Sequence, residues 1–305
     1  MKTKQSIPKE LRYTVRDFDR EFPNDLACLE YMANQRWPGG VTQCVKCGIE
    51  RKHHHINFRT AYSCDHCGNH IYPLAGTIFE KTTTPLKTWF YAMYLMGSTR
   101  CGISAKQIQR ETGVTYKTAW RIFKQVRSLL SEGDMQLEGS TVEMDETYMG
   151  GKRRGDHPGR PNRADPLHRP VVGIVERGGS KRVRAIAASD VTRKTLHGIA
   201  KEFIMPASTI FTDELPAYHG LDKINGYAHR RINHSAGVYV AGDVHTNTIE
   251  GFWSLLKRGI GGVYHSVSAK HLQSYLDEYS FRYNRRHAGN LQFKAILRRS
   301  VERAS

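Results

Sequence analysis

Three acids stand in settings that could support chemistry. They are Asp145 in Thr141-Val-Glu-Met-Asp-Glu-Thr-Tyr148, Asp213 closing Thr209-Ile-Phe-Thr-Asp213, and Glu250 in Asp243-Val-His-Thr-Asn-Thr-Ile-Glu-Gly-Phe-Trp-Ser-Leu-Leu-Lys-Arg-Gly259. At the helical period the last stretch puts Ile249, Phe252, Trp253 and Leu256 on one apolar stripe. Asn247, Glu250, Ser254 and Lys257 share another face. Alone, such a face reads as a solvated ion pair on an amphipathic helix, and the two further acids change that reading. Three carboxylates converging in a low-dielectric cleft repel one another, and divalent ions relieve the repulsion. Mg²⁺ prefers hard oxygen ligands and keeps several waters, which leaves room for phosphate oxygens. Two such ions about 4 Å apart activate an attacking water or 3′-hydroxyl and stabilise the leaving oxygen of an in-line displacement at phosphorus. Glu143, Glu146 and Glu214 compete for the same roles.

The elements around these acids are readable from hydrophobic period. Thr141–Tyr148 alternates as a strand, with Glu143, Asp145 and Thr147 on one face and Val142 and Met144 on the other. Strands at Val171–Glu176 and Arg182–Ala188 follow, joined by a Gly178-Gly179 hairpin turn. A helix from about Thr192 to Phe203 crosses to the strand ending at Asp213, and Pro216 starts a short helical turn. Residues 224–240 contain an extended piece, and the Glu250 helix runs from about Thr246. A last helix, Ala269 to about Arg286, carries Leu272, Tyr275, Leu276, Tyr279 and Tyr283 and ends in the basic cluster Arg282-Tyr-Asn-Arg-Arg-His287. Three strands, a crossover helix, a fourth strand and then helices is the order of an α/β, RNase H-like mixed sheet with flanking helices, here over residues 141–305. In that order the first and fourth strands lie side by side. Asp145 and Asp213 would then meet, with Glu250 delivered from a packed helix.

Upstream the chain carries recognition modules. Residues 1–40 form an N-terminal segment with a helix starting at Asn24, in which Cys28 packs as a small hydrophobe. Cys44-Val-Lys-Cys47 and Cys64-Asp-His-Cys67 have the spacing of a four-thiolate zinc ribbon, over residues 41–80, with one structural Zn²⁺. Two unrelated reduced pairs or a redox dithiol are the competing reading. Gly48 and Gly68 follow the knuckles, where the turn favours positive φ. His53, His54, His55 and His66 are expected to be exposed non-ligands. Residues 81–131 read as a helix from Leu86 to Met96, ended by Gly97, and then a helix-turn-helix. In the latter, Ser104 caps the first helix, Thr112-Gly-Val114 turns, and Thr115 caps the second; Ile108, Val114, Ala119, Ile122 and Phe123 form its core. Tyr116, Lys117, Thr118 and Arg121 would face a DNA groove; a plain helical hairpin with a basic solvated face is the alternative. Cys101 reads as packed. Residues 132–140 are polar and form the linker. The Gly- and Pro-rich stretch 152–170, opening with Lys152, Arg153 and Arg154, either tracks a phosphate backbone or is a solvated loop.

The bulk properties agree with a polyanion partner. The 305 residues carry a formal net charge of +17, spread over the whole chain. That spread, and the lack of any apolar run of membrane-spanning length, argues against a membrane. The N-terminus lacks an apolar signal core, so the expectation is a cytoplasmic protein whose six cysteines are reduced or metal-bound.

Asp145-Glu-Thr-Tyr-Met-Gly-Gly, Thr212-Asp213 and Asn247-Thr-Ile-Glu-Gly-Phe-Trp-Ser-Leu-Leu-Lys257 resemble the three blocks of zinc-ribbon DDE transposases of bacterial insertion sequences. The resemblance spans ribbon, helix-turn-helix, core and the Tyr-Asn-Arg-Arg tail. It implies that Asp145, Asp213 and Glu250 are the catalytic acids holding two Mg²⁺ (or Mn²⁺), with Lys257 as the basic residue seven positions on. It further implies 3′-end cleavage at terminal inverted repeats of double-stranded DNA, strand transfer into target DNA, a homo-oligomeric synaptic complex, and a place at the bacterial nucleoid. Two other readings use the same residues. A zinc-containing, sequence-specific DNA-binding regulator with an inactive core predicts a damaged acid set, and a structure-selective nuclease predicts hydrolysis without joining.

Overall fold

The computed structural model describes residues 8–41, 43–99, 101–133, 135–138, 141–150, 168–178, 181–231 and 247–302. The chain divides into two compact units, Met1–Leu129 with His287–Ser305, and Leu130–Arg286.

In the first unit, α1 (Val15–Glu21) begins with a capping box in which Thr14 and Asp17 satisfy each other's backbone donors. Asn24 caps α2 (Asp25–Arg36) through the Ala27 N–H. Strands β1 (His53–His55), β2 (Tyr62–Cys64) and β3 (His70–Ile71) make a small antiparallel sheet. Helix α3 (Leu86–Ser98) passes through Gly97 instead of ending there. A Cβ at that position would lie 2.6 Å from the Phe293 backbone nitrogen, so Gly97 admits a neighbouring backbone and does not break the helix. Ser104 caps α4 (Ala105–Thr112) and Thr115 caps α5 (Tyr116–Ser128), as their positions before the periodic runs predict. Ile108, Ala119, Ile122 and Phe123 are buried between these helices, whereas Val114 is half-buried. Cys28 is fully buried, but Cys101 is exposed, contrary to the packed role expected of it.

The second unit is a five-stranded mixed sheet. Its strands are β4 (Thr141–Gly150), β5 (His168–Glu176), β6 (Val183–Ala187), β7 (Thr209–Thr212) and β8 (Ala228–Arg231), in the order β6-β5-β4-β7-β8. The first three are antiparallel and β7 and β8 run parallel to β4, which is the RNase H-like arrangement expected from element order. Helix α6 (Arg193–Phe203), capped by Thr192, buries Leu196, Ile199 and Ala200 against Val142, Met144, Val172, Ile174 and Ile210 on one face. On the other face α7 (Asn247–Gly259) and α8 (Leu272–Asn284) bury Ile249, Phe252, Leu256, Leu276 and Tyr279 against Val171, Val175, Val183 and Ala185. Alternation along β4 and β5 therefore decides which residues face α7. Glu143 and Asp145 do, and Val142 and Met144 do not.

Two expected boundaries shift. Leu137, placed in the 132–140 linker, is fully buried in the second unit and exchanges backbone hydrogen bonds with Phe203 and Met205. Beyond α8 lies α9 (Gln292–Glu302), a helix the sequence reading passed over although Phe293, Ile296 and Leu297 have helical spacing. Those side chains are buried where α9 packs on α2 and α3, so residues 287–305 belong to the first unit and not to the 141–305 domain.

Candidate active site

Strand β7 pairs with β4 only along Thr141–Glu143, so among the described residues the β4 edge is open on that side from Met144 onward. Asp145 and Glu146 lie on that open stretch, and Asp213 follows directly on the last residue of β7. Each of the three acids offers an oxygen within 4.8 Å of the others. Alternation assigns Glu146 to the face opposite Asp145, yet at an unpaired edge a side chain from either face can curl into the same space. Glu146 Oε2 accepts a 2.8 Å hydrogen bond from the hydroxyl of the fully buried Tyr218. Asp213 Oδ1 accepts the Leu215 N–H at 3.0 Å, a local turn that fixes the carboxylate as the chain leaves the sheet.

Asp145 is held from the helix side. Trp253 Nε1 donates to Asp145 Oδ2 at 2.8 Å. The indole reaches that far because Asp145 pairs with Gly173 on β5, where a Cβ would lie 2.5 Å from the Trp253 ring. Burial pushes the Asp145 carboxyl up to about 6; the Trp253 hydrogen bond opposes this, and the charges of Asp213 and Glu250 add to it. A half-buried carboxylate beside two others fits a hard divalent cation, which would supply the missing positive charge.

Glu250 is exposed on α7, one turn before Trp253, and lies outside the group of three although its charge reaches Asp145. Lys257 is exposed one turn after Trp253. Glu214 is exposed, and Glu143 is fully buried against Arg177 and the start of α7. Of the three competing acids named from the sequence, Glu146 is the one that joins the cluster, whereas Tyr218, Gly173 and the second role of Trp253 were missed. Glu146 was legible through its place beside Asp145; the other three carried no such signal.

Cys44, Cys47, Cys64 and Cys67 each offer a sulfur within 4.8 Å of the others, and Cys44 Sγ lies 3.6 Å from Cys67 Sγ. Sulfurs about 3.8 Å apart are what tetrahedral Zn–S bonds of about 2.3 Å require, so the four thiols fit zinc. The N–H groups of Cys47 and Lys46 pull the Cys44 thiol down to about 6, favouring the thiolate that a metal needs. Gly48 and Gly68 have φ of 68° and 69°. His54 and His66 are exposed, His53 and His55 are half-buried on β1, and none joins the sulfur cluster. On α5 Tyr116, Lys117 and Arg121 are exposed and Thr118 is half-buried. Arg121 is already engaged, donating to Thr84 Oγ1 and lying over the Trp89 ring. The basic tail of α8 is bound internally. Arg282 pairs with Glu278, Arg285 with Glu132, and the Asn284 amide brackets the Val183 backbone at the edge of β6. Lys152, Arg153 and Arg154 lie outside the described residues.

Residues 136–284 match the family model described as the ISXO2-like transposase domain, and residues 23–70 match the transposase zinc-ribbon domain. A transposase-like protein of Haemophilus influenzae is 30% identical over 103 residues, covering 34% of this chain and 81% of the relative. The chain belongs to the ISXO2-like transposase family. A protein of the transposable element ISH50 in Halobacterium salinarum is 29% identical over 276 residues, 86% of this chain and 92% of that one. Among solved structures, a chain in the crystal structure of a pre-cleavage Mos1 transpososome matches 63% of this chain and 73% of its own. With 10% identity and a TM-score of 0.27 that match adds nothing to the fold, which rests on the strand order itself. Family membership joins the acid cluster to the ribbon: a transposase zinc ribbon precedes a DDE transposase domain in one chain. Among the described residues, no helix is long and apolar enough to cross a membrane.

Proposed function

We propose that this ISXO2-like transposase binds the terminal inverted repeats of an insertion sequence, cuts the 3′ ends and joins them to target DNA. The observation that carries this reading is the meeting of Asp145 and Asp213 where β7 ends beside β4, with the charge of Glu250 on α7 reaching Asp145. Asp145, Asp213 and Glu250 would hold Mg²⁺ or Mn²⁺, and Glu146 stands close enough to share that work. Bound metal supplies the positive charge that activates a water or 3′-hydroxyl and stabilises the leaving oxygen. The protein orients these groups: Trp253 holds one Asp145 oxygen, and the turn at Leu215 holds one Asp213 oxygen. Lys257 would hold a DNA phosphate one turn beyond Trp253. The ribbon and the α4–α5 helix-turn-helix would recognise the element ends, in keeping with the chain's charge of +17. Two active sites working on paired ends would need a homo-oligomer.

The test is cutting and strand transfer on a labelled duplex carrying the element end, with Mg²⁺ against EDTA. Glu250→Gln is expected to abolish both while leaving DNA affinity within about twofold. Cutting that survives in Glu250→Gln removes that residue from the site, and tight metal-independent binding without product by the wild type moves the assignment to a regulator.

DNA reading by α5 has its own check. Lys117→Ala should weaken binding to the element end by about 1–3 kcal/mol if it makes a bidentate base contact. Arg121→Ala should cost less, because Thr84 and Trp89 already hold that guanidinium. Binding isotherms on end and random duplexes decide this. Equal loss on both would mean that α5 contacts phosphate only.

A further inference from the structure

We propose that Glu143, together with Arg177, is a positioning residue that sets the start of α7 and with it the placement of Glu250 relative to Asp145. This rests on the transposase reading of the acid site.

Glu143 is fully buried on β4, two residues before Asp145 and on the same face. Its Oε1 accepts Arg177 Nε at 2.8 Å. Its Oε2 accepts two backbone N–H groups of the first turn of α7, from Thr248 at 3.0 Å and Ile249 at 2.9 Å. First-turn amides have no partner inside their own helix, and an anion there also meets the positive end of the helix dipole. Here the anion comes from the strand that carries Asp145. Four residues after Ile249, Trp253 returns a hydrogen bond to Asp145 itself. Helix α7 is thus pinned to two positions of one strand, and Glu250 lies between the pins. A helix held at two points along its length can neither slide nor turn about its axis without breaking one of them. Arg177 extends the arrangement to the second aspartate, since its guanidinium lies 4.2 Å from the Phe211 ring centre, two residues before Asp213.

Stability alone is a poor explanation for this arrangement. A buried ion pair is often replaceable by apolar packing at little cost, whereas two amides aimed at one oxygen define a single helix placement. Glutamine cannot substitute. Both Glu143 oxygens accept, while an amide offers one acceptor and one donor, so a donor would face either Arg177 or the helix amides.

Three quantities should be compared in wild type and Glu143→Gln: amide hydrogen exchange at Thr248 and Ile249, Mn²⁺ affinity by electron paramagnetic resonance, and single-turnover cutting of an end duplex. The expected result is at least tenfold faster exchange at those two amides, several-fold weaker Mn²⁺ binding, and at least tenfold slower cutting, with DNA affinity unchanged. Unchanged exchange would overturn the cap. Faster exchange with wild-type Mn²⁺ affinity and cutting rate would reduce Glu143 to a stabilising role and overturn the proposal. If Glu143→Gln does not fold, Arg177→Met gives the same three readouts with the carboxylate kept, and the same outcomes decide. A wild type that binds Mn²⁺ but never cuts would refute the transposase reading, while exchange and Mn²⁺ affinity still judge the positioning role.

Discussion

Asp145→Asn is expected to abolish DNA cutting and, in metal-free protein at pH 7.5, to raise the melting temperature. Burial holds the native carboxyl at about 6, well above the roughly 3.9 of an unfolded aspartate. A group whose native pKa is raised binds protons more tightly folded than unfolded. Its contribution to stability is therefore best at low pH and worsens as pH rises through about 6. At pH 7.5 the metal-free native state carries an ionised, half-buried carboxylate near Asp213, Glu146 and Glu250. Asparagine keeps the shape and an oxygen for the Trp253 N–H but removes the charge. The gain should be about 1–2 kcal/mol at pH 7.5, a few degrees in melting temperature, and should fade as pH is lowered below about 6. Added Mg²⁺ should stabilise the wild type and leave the variant unmoved. Calorimetry at two pH values with and without Mg²⁺, beside a cutting assay, reads all of this. A variant less stable than wild type at pH 7.5 would show that the Trp253–Asp145 bond outweighs the charge, and retained cutting would remove Asp145 from the chemistry.

The second large effect concerns the ribbon. Strands β1, β2 and β3 have only three, three and two residues, too little sheet to be stable alone. Their side of the fold buries little besides Ala61, Ile71, Cys44 and Cys64, while Val45 and Phe58 stand exposed. Bonds from the four sulfurs to zinc would then supply most of the folding free energy, which for structural zinc in small finger peptides is about 10–16 kcal/mol at neutral pH. Stripping the metal, or Cys64→Ser, is expected to unfold residues 41–72 and expose the segment to protease, while the Leu130–Arg286 unit melts as before. One zinc per chain by atomic absorption, then limited proteolysis with and without chelator, gives the answer. A ribbon that keeps its protease resistance without metal would show that packing, not zinc, holds it.

What the sequence determined by itself is whatever depends on period, spacing and local caps. The alternation of Thr141–Tyr148, the caps at Asn24, Ser104 and Thr115, and the paired Cys-x2-Cys knuckles are all local signals. They sufficed for the element types and, through their order, for an RNase H-like sheet with the strands of Asp145 and Asp213 adjacent. Tertiary structure decided what turns on which partner fills a given space. Gly173 is silent in sequence, and only the Trp253 ring resting on it reveals why no side chain is tolerated there. Gly97 looked like a helix end because glycine breaks isolated helices, but the backbone that needs the room arrives from Phe293, almost two hundred positions later. Glu146 joins the acid cluster because β7 stops short of it, and strand length is set by the pairing partner. The Arg282–Arg286 stretch read only as a basic cluster, yet Arg282 pairs with Glu278 one turn back and Arg285 with Glu132, which only the folded chain brings near. Local geometry is encoded within a few residues. Close approach, edge exposure and charge pairing are properties of surfaces that exist only after the chain has folded.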